Sequence, residues 1–312
     1  MKKNLLVITG PTGVGKTNLS IDLAKLYRGE IISADSMQIY KYMDIGTAKI
    51  KETEMEDIPH YMIDIVEPDK EFTVSNYRDL AKENILKVHK KSKLPIVVGG
   101  TGLYINSLVY DLQFASVPPN QELRNHYEKV AEEKGNDYLH KTLYAIDKTS
   151  AEKISIGDLK RIIRALEIYE LTGKTMSQYN KNFRKESKDY NLCMYCLTMD
   201  RSRLYERINL RVDRMIEEGL VEEVKSLLER GYDPNLISLQ GIGYKEIILY
   251  LKGNISLDDS VEIIKKASRN YAKRQLTWFR RDKRFNWVDI DNFKTYNDLV
   301  KYLTESINFI LY

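Results

Sequence analysis

Cysteine is scarce: two residues in 312, too few for a disulfide framework. Cys193 and Cys196 do form a C-x-x-C pair, half the spacing of a zinc site, but no second ligand pair stands out. Their run, Leu192-Cys193-Met194-Tyr195-Cys196-Leu197, reads as a strand, in which residues three apart face opposite sides. A zinc or redox role is therefore not expected. Long apolar runs are also missing. None approaches the ~20 residues of a membrane span, and no small-residue cleavage site follows the Met-Lys-Lys-Asn start. The expectation is a cytoplasmic protein without membrane attachment. Internal repeats and low-complexity tracts are absent, and 43% hydrophobic content over this length supports one large domain or two modest ones with a buried core.

Charge of one sign is not in excess either. Against 49 basic residues stand 45 acidic ones, and a net +4 by itself predicts no polyanion partner. The distribution is more informative. Between Val261 and Arg284 nine Lys or Arg residues face only Glu262 and Asp282. Within that stretch Lys273-Arg274-Gln275-Leu276-Thr277-Trp278-Phe279-Arg280 interleaves cations with aromatics and an amide, as nucleic-acid recognition requires: charge for phosphates, rings for stacking, Gln for base edges. The alternative is that Trp278 and Phe279 anchor the helix in the core.

The first hundred residues alternate short apolar runs with helical stretches, the pattern of a parallel sheet wrapped by helices. Strands are predicted at Leu5–Thr9, Glu30–Ser33, Tyr61–Ile65 and Pro95–Val98, with helices beginning near Lys16, Val74 and Thr101. At Val117-Pro118-Pro119-Asn120 the texture turns polar and helical for about seventy residues. Leu192–Met199 is the next strand candidate, followed by the amphipathic run Leu204, Ile208, Val212, Met215. A last strand at Trp287–Ile290 and a helix at Asn297–Leu311 complete the reading. The division is residues 1–116, first part of an α/β core; 117–190, a helical insertion; and 191–312, the remainder of the core.

Four constellations carry chemistry. Gly10-Pro11-Thr12-Gly13-Val14-Gly15-Lys16-Thr17 is a complete G-x-x-x-x-G-K-[ST] phosphate loop between a strand and a helix. Its glycines let backbone N–H groups cradle a pyrophosphate, Lys16 supplies a charge, Thr17 a hydroxyl for Mg²⁺, and the following helix its positive end. Ile31-Ile32-Ser33-Ala34-Asp35 ends in an acid, whereas Pro95–Val98 ends in Gly99-Gly100-Thr101-Gly102 without one, so Asp35 is the leading catalytic candidate, with a turn-forming role as its alternative. Arg203, Arg207 and Arg211 recur every four residues, so they form a phosphate clamp on one helix face or a solvated charged stripe. The fourth is the basic-aromatic run just described.

Together these segments resemble the tRNA dimethylallyltransferases, also called tRNA isopentenyltransferases, over nearly the whole chain. Besides the phosphate loop, the resembling stretches are Ser33-Ala34-Asp35-Ser36-Met37-Gln38-Ile39-Tyr40, Met43-Asp44-Ile45-Gly46-Thr47-Ala48-Lys49, Pro59-His60-Tyr61, Gly99-Gly100-Thr101-Gly102-Leu103-Tyr104, Arg161-Ile162-Ile163-Arg164-Ala165-Leu166-Glu167, Gly241-Ile242-Gly243-Tyr244-Lys245-Glu246 and Lys273–Arg280. The phosphate loop alone is generic; Asp35–Tyr40 and Lys273–Trp278 are specific. The resemblance implies a P-loop NTPase-like α/β fold with a helical insertion. It also implies transfer of a dimethylallyl group from dimethylallyl diphosphate to N6 of the adenine immediately 3′ of the tRNA anticodon. A diphosphate, not a nucleoside triphosphate, would then occupy Gly10 to Thr17 and leave as pyrophosphate.

By the same resemblance Asp35 accepts the amine proton, Thr12 sits beside the reacting carbon, and Lys16, Thr17 with Mg²⁺, and Arg211 neutralise the leaving group. Arg207 is the second choice for the diphosphate-binding arginine. The implied tRNA contacts are Asp35, Ser36, Met37 and Gln38; Lys160, Arg161, Ile162, Ile163 and Arg164; Gln240, Gly241, Ile242, Gly243, Tyr244 and Lys245; and Lys273, Arg274, Gln275, Leu276, Thr277, Trp278, Phe279 and Arg280. Relatives often carry Gln before the arginine where this chain has Lys160, which weakens the case for a base contact there and leaves a phosphate contact open. No zinc finger follows the core, which fits the compact bacterial form, and a monomer is expected. Three competitors stand beside this reading: a dimethylallyltransferase acting on free adenine nucleotides, which would need neither the insertion nor the basic-aromatic helix; a kinase, suggested by the phosphate loop alone; and a non-enzymatic RNA-binding protein with a vestigial loop, against which the intact Lys16, Thr17 and Asp35 argue.

Overall fold

The computed structural model describes residues 2–112, 118–180 and 185–311. Apolar runs that form a parallel sheet are buried on both faces and therefore read as continuous rather than alternating. Strand β1 (Lys3–Thr9) is the clearest case, with Leu5, Leu6, Val7 and Ile8 all at or below 1% exposure. The chain continues through α1 (Lys16–Tyr27), β2 (Gly29–Ser33), β3 (His60–Tyr61), α2 (Val74–Lys90), β4 (Leu94–Gly99) and α3 (Gly102–Val109). A helical stretch follows: α4 (Gln121–Lys134), α5 (Asn136–Ile146), α6 (Lys148–Ala151), α7 (Leu159–Thr172) and α8 (Met176–Tyr179). Then come β5 (Tyr190–Thr198), α9 (Arg201–Glu217), α10 (Leu220–Glu229), α11 (Tyr244–Leu251), α12 (Leu257–Phe279), β6 (Asn286–Asp289) and α13 (Tyr296–Leu311).

Among the described residues the six strands form one parallel sheet in the order β3-β2-β4-β1-β5-β6. Because every strand runs the same way, the loops that follow β1, β2 and β4 emerge at one end. The register fixes this: Thr9 lies opposite Gly99, and Ser33 opposite Val98. Ligands bind at the carboxyl ends of such strands. The phosphate loop, Asp35 and the Gly99–Gly102 turn all start from that end.

Two compact units result, Met1–Val109 with Lys188–Tyr312, and Tyr110–Ser187. The first has two apolar centres. One joins Leu6 and Ile8 to Leu299, Leu303 and Ile307 of α13; the other joins Ile39 and Met43 to Val212, Leu220, Tyr244 and Ile264. In the second unit Leu139, Leu143, Ile162, Ile163 and Leu166 form the core. Its ends are tied by pairing of Tyr110 with Glu186 and by the Asp111 N–H donating to the Lys185 carbonyl, non-local contacts with no signature in the sequence. The expected boundary between residues 116 and 117 lies outside the described residues. No described helix is long and apolar enough to cross a membrane.

The strand expected over Tyr61–Ile65 is shorter than its composition suggests. Pairing covers His60–Tyr61 only, because Met62 (φ 66°) and Asp64 (φ 53°) adopt left-handed backbone that cannot continue a ladder. The turn brings the Asp64 carboxylate to the buried Lys49 ammonium.

Candidate active site

The phosphate loop turns directly out of β1. Gly10 has φ 144°, and a Cβ there would lie 2.6 Å from the Leu197 carbonyl oxygen of β5, so no other residue fits. Lys16 lies along the loop, its ammonium donating to the carbonyls of Gly10 (2.9 Å) and Pro11 (2.8 Å). Burial and the neighbouring Arg211 charge pull its pKa down to about 8, with Asp35 and Cys196 acting in the opposite direction. Thr17 is exposed at the first turn of α1. No group of three His, Cys, Asp or Glu side chains that could hold a metal exists among the described residues.

Asp35 follows β2 on an extended segment fastened to the β4 turn. The Thr101 N–H donates to the Ala34 carbonyl, and the Ser36 N–H donates to Thr101 Oγ1 at 2.9 Å. One Asp35 oxygen, Oδ1, accepts the Met37 N–H at 2.9 Å. Nearby Tyr271 of α12 has its phenol pushed up to about 12, by burial first and the Asp35 charge second. Gln38 is spoken for: its Oε1 accepts from Ser33 Oγ at 3.3 Å, and its Nε2 donates to Thr47 and Ala48 carbonyls.

The three arginines of α9 do not act together. Arg203 pairs with Asp291, Arg207 is exposed beside Gly15, and Arg211 is turned into the cleft. The Arg211 Nε atom is buried and has no hydrogen-bond partner, while Nη2 reaches the Thr47 carbonyl at 3.4 Å. Burial lowers its pKa and the Asp35 charge offsets part of that. A desolvated guanidinium with an unpaired N–H is poised for an anion.

These groups line one cleft of about 950 Å³ that also receives Arg214, Lys245 and Arg274. Among the described residues, six cations (Lys16, Arg207, Arg211, Arg214, Lys245, Arg274) around a single carboxylate, Asp35, describe a site for a polyanion next to one proton acceptor.

Several residues expected to touch RNA point elsewhere. Gln275 is 5% exposed, its Oε1 accepting the Thr12 N–H and its Nε2 donating to the Gly100 carbonyl, both at 3.0 Å. It ties the phosphate loop to the β4 turn, and a Cβ on Gly100 would sit 2.1 Å from its nitrogen. Phe279 is buried against Phe285, Leu276 packs on the core, and Trp278 lies against Gly102. The aromatics of the basic-aromatic run thus anchor α12, and Lys273, Arg274, Thr277 and Arg280 form its exposed side. Tyr244 is fully buried, with its hydroxyl on Glu223, whereas Gln240 and Lys245 are exposed and Gly241 packs on Met37. In the helical unit Ile162 and Ile163 are core, Arg164 is paired with the buried Glu167, and Lys160 and Arg161 face solvent. Cys193 and Cys196 are both buried in β5 with their thiols pushed up to about 11 and about 12 by burial, as unreactive cysteines are.

Missed by the sequence reading was Glu223 of α10, whose carboxylate accepts from the backbone N–H groups of Asp44, Ile45 and Gly46. Nothing local marks it, since its partners lie 177 to 179 residues earlier.

A parallel sheet with a phosphate loop after its first strand and a lone acid beside a cationic cleft defines a P-loop NTPase-like protein built for group transfer from a phosphate-bearing donor. Comparison with known proteins narrows this. Residues 38–282 match the IPP transferase family. A tRNA dimethylallyltransferase of Acetivibrio thermocellus is 53% identical over 300 residues, 96% of either chain. The crystal structure of the tRNA isopentenylpyrophosphate transferase of Bacillus halodurans superposes with a TM-score of 0.73 at 42% identity, covering 98% of this chain and 96% of that one. A eukaryotic dimethylallyltransferase acting on tRNA gives a TM-score of 0.80 at 30% identity, covering 99% and 79%. The chain belongs to the IPP transferase family.

Proposed function

We propose that this enzyme transfers a dimethylallyl group from dimethylallyl diphosphate to N6 of the adenine immediately 3′ of the anticodon in tRNA. The observation that carries the reading is the pairing, in one cleft, of an anion site (Lys16 and the unpaired Arg211 Nε) with the carboxylate of Asp35. Relatives at 53% and 42% identity bear the names of that activity.

The N6 lone pair forms the new N–C bond as the C–O bond to the diphosphate breaks, its electron pair leaving on the bridging oxygen. Asp35 takes the N6 proton. Thr12, whose N–H is held by Gln275, is the loop residue assigned to the reacting carbon. Lys16 and Arg211 hold the charge that develops on the leaving pyrophosphate. The Thr17 hydroxyl would hold Mg²⁺ together with the substrate, in keeping with a cation that retains several waters and with the lack of a carboxylate cluster among the described residues. When bound, it neutralises further charge on the diphosphate. The adenine leaves its stack to reach Asp35, and the exposed cations Lys273, Arg274, Arg280 and Lys245 hold the RNA backbone.

Two expectations follow from single groups. Diphosphate binding requires Lys16 charged. Its pKa of about 8 means that it is protonated below that pH and neutral above, so kcat/KM for dimethylallyl diphosphate is flat below about pH 8 and falls up to tenfold per pH unit above. Calorimetry near pH 8.5 in buffers of different ionisation enthalpy registers uptake of up to one proton per diphosphate bound; zero uptake there excludes this role. Arg274→Ala weakens tRNA binding and reduces the slope of log K against log salt by about 1. An unaltered slope removes Arg274 from the docking surface.

The reading itself is tested by offering dimethylallyl diphosphate with unmodified tRNA in one reaction and AMP in another. Product from tRNA alone supports it; product from AMP alone replaces it with a nucleotide prenyltransferase.

A further inference from the structure

The turn Asp44–Ala48 forms one wall of the cleft through Gly46, Thr47 and Ala48. Its inner side carries the Thr47 carbonyl, on which two site residues converge, Arg211 through Nη2 (3.4 Å) and Gln38 through Nε2 (3.4 Å). On its outer side the N–H groups of Asp44, Ile45 and Gly46 point together, at 2.8, 2.7 and 3.1 Å from the carboxylate of Glu223. Three convergent backbone N–H groups make an anion receptor. Here the protein fills it with its own carboxylate.

Glu223 is itself held. The Tyr244 hydroxyl donates to its Oε1 at 2.7 Å, and the ring of Tyr244 lies against Gly46. Burial and the Glu223 charge keep that phenol protonated, so it remains a donor. Such charge-assisted bonds are roughly twice as strong as neutral ones. The turn is also closed by its own bonds, Ala48 N–H to the Ile45 carbonyl, Lys49 N–H to the Asp44 carbonyl and Thr47 Oγ1 to the Met43 carbonyl, and the Glu223 bonds add to these in holding a backbone with Ala48 at φ 43°.

We infer that Glu223 is a positioning residue for prenyl transfer: it fixes the Asp44–Ala48 turn, and through the Thr47 carbonyl it sets the place of the Arg211 guanidinium against the leaving diphosphate. This rests on the assignment of Arg211 to that diphosphate under the proposed function. Glu223 touches no reacting atom in this scheme. Its removal takes three bonds from the turn and leaves only the turn's own internal ones, so the Thr47 carbonyl holds Arg211 less firmly and the transition state loses part of a preorganised charge.

The test is a kinetic double-mutant cycle. Glu223→Ala lowers the single-turnover rate about tenfold with tRNA affinity within about twofold, and Glu223→Gln, which keeps an acceptor for part of the receptor, lowers it less. In the Arg211→Ala background the Glu223→Ala change costs less than about twofold, because the group it positions is gone. Urea midpoints of all four proteins are measured alongside. Equal rate losses in both backgrounds, or a lowered midpoint with an unchanged rate in the folded protein, overturn the inference. Should Glu223→Ala not fold, Glu223→Gln completes the same cycle. If Arg211→Ala alone leaves the rate unchanged, the assignment of Arg211 fails first and the inference falls with it, whereas a slow Arg211→Ala protein with additive losses rejects Glu223 alone.

Discussion

Asp35→Ala lowers the single-turnover rate of dimethylallyl transfer by about a thousandfold while tRNA affinity stays within a few-fold of the parent protein. The magnitude follows from the task. A positioned base contributes roughly 10²–10⁴, and Asp35 is the only carboxylate among the described residues that line the cleft. An exocyclic amine is a poor nucleophile until its proton is accepted, and the neighbouring phenol of Tyr271, pushed up to about 12, is a donor at neutral pH and cannot substitute. The backbone around Asp35 does not depend on its side chain alone, because Ala34 and Ser36 are held by hydrogen bonds to Thr101. Binding and chemistry therefore separate. A large loss of tRNA affinity with normal transfer by the bound enzyme would instead make Asp35 an RNA contact.

Arg211→Ala is the second large effect, a loss of about 10²–10³ in rate, the range for removing one preorganised donor from developing negative charge. Its signature lies in stability. Arg211 places a desolvated guanidinium in the cleft with Nε unpaired, an arrangement that costs folding free energy when no anion is present. Truncation relieves it, so activity collapses while the thermal midpoint of the substrate-free protein does not fall. The measurement is a rate and a melting curve on the same preparation. A rate within threefold of the parent would assign the leaving group to Lys16 and Arg207 instead.

The parts of this site that were legible in the sequence are those whose meaning is local. Gly10–Thr17 is read from eight adjacent residues, and Asp35 from its place at the end of an apolar run, because a strand end in a parallel sheet is a position at the ligand-binding edge. Spacing placed Arg203, Arg207 and Arg211 on one face of α9. Four residues also advance about 6 Å along a helix, so the three meet different surroundings: Asp291, Gly15 and the Thr47 carbonyl. Which side of α12 faces inward was not legible. Composition alone could not separate Gln275, Trp278 and Phe279, which lock the phosphate loop and the helix to the sheet, from Lys273, Arg274 and Arg280, which face out. Glu223 shows the limit most clearly, since its role exists only after the chain has brought α10 against a turn far upstream.

The same distinction applies to the strands. β1, β4 and β5 announce themselves by uninterrupted apolar runs, but β3 stops after two residues because Met62 and Asp64 take left-handed backbone to deliver a carboxylate to Lys49. There the Lys49 ammonium is shared between the carboxylates of Asp64 and Asp44 and the Tyr40 carbonyl, the set of partners a buried charge requires.

Mass analysis of nucleosides from unmodified tRNA, after incubation with the enzyme, Mg²⁺ and labelled dimethylallyl diphosphate, tests the central claim most directly. One labelled dimethylallyl group appears on the adenosine immediately 3′ of the anticodon, with one pyrophosphate released per group transferred. Label on any other nucleoside, or pyrophosphate released without label in the tRNA, would contradict it.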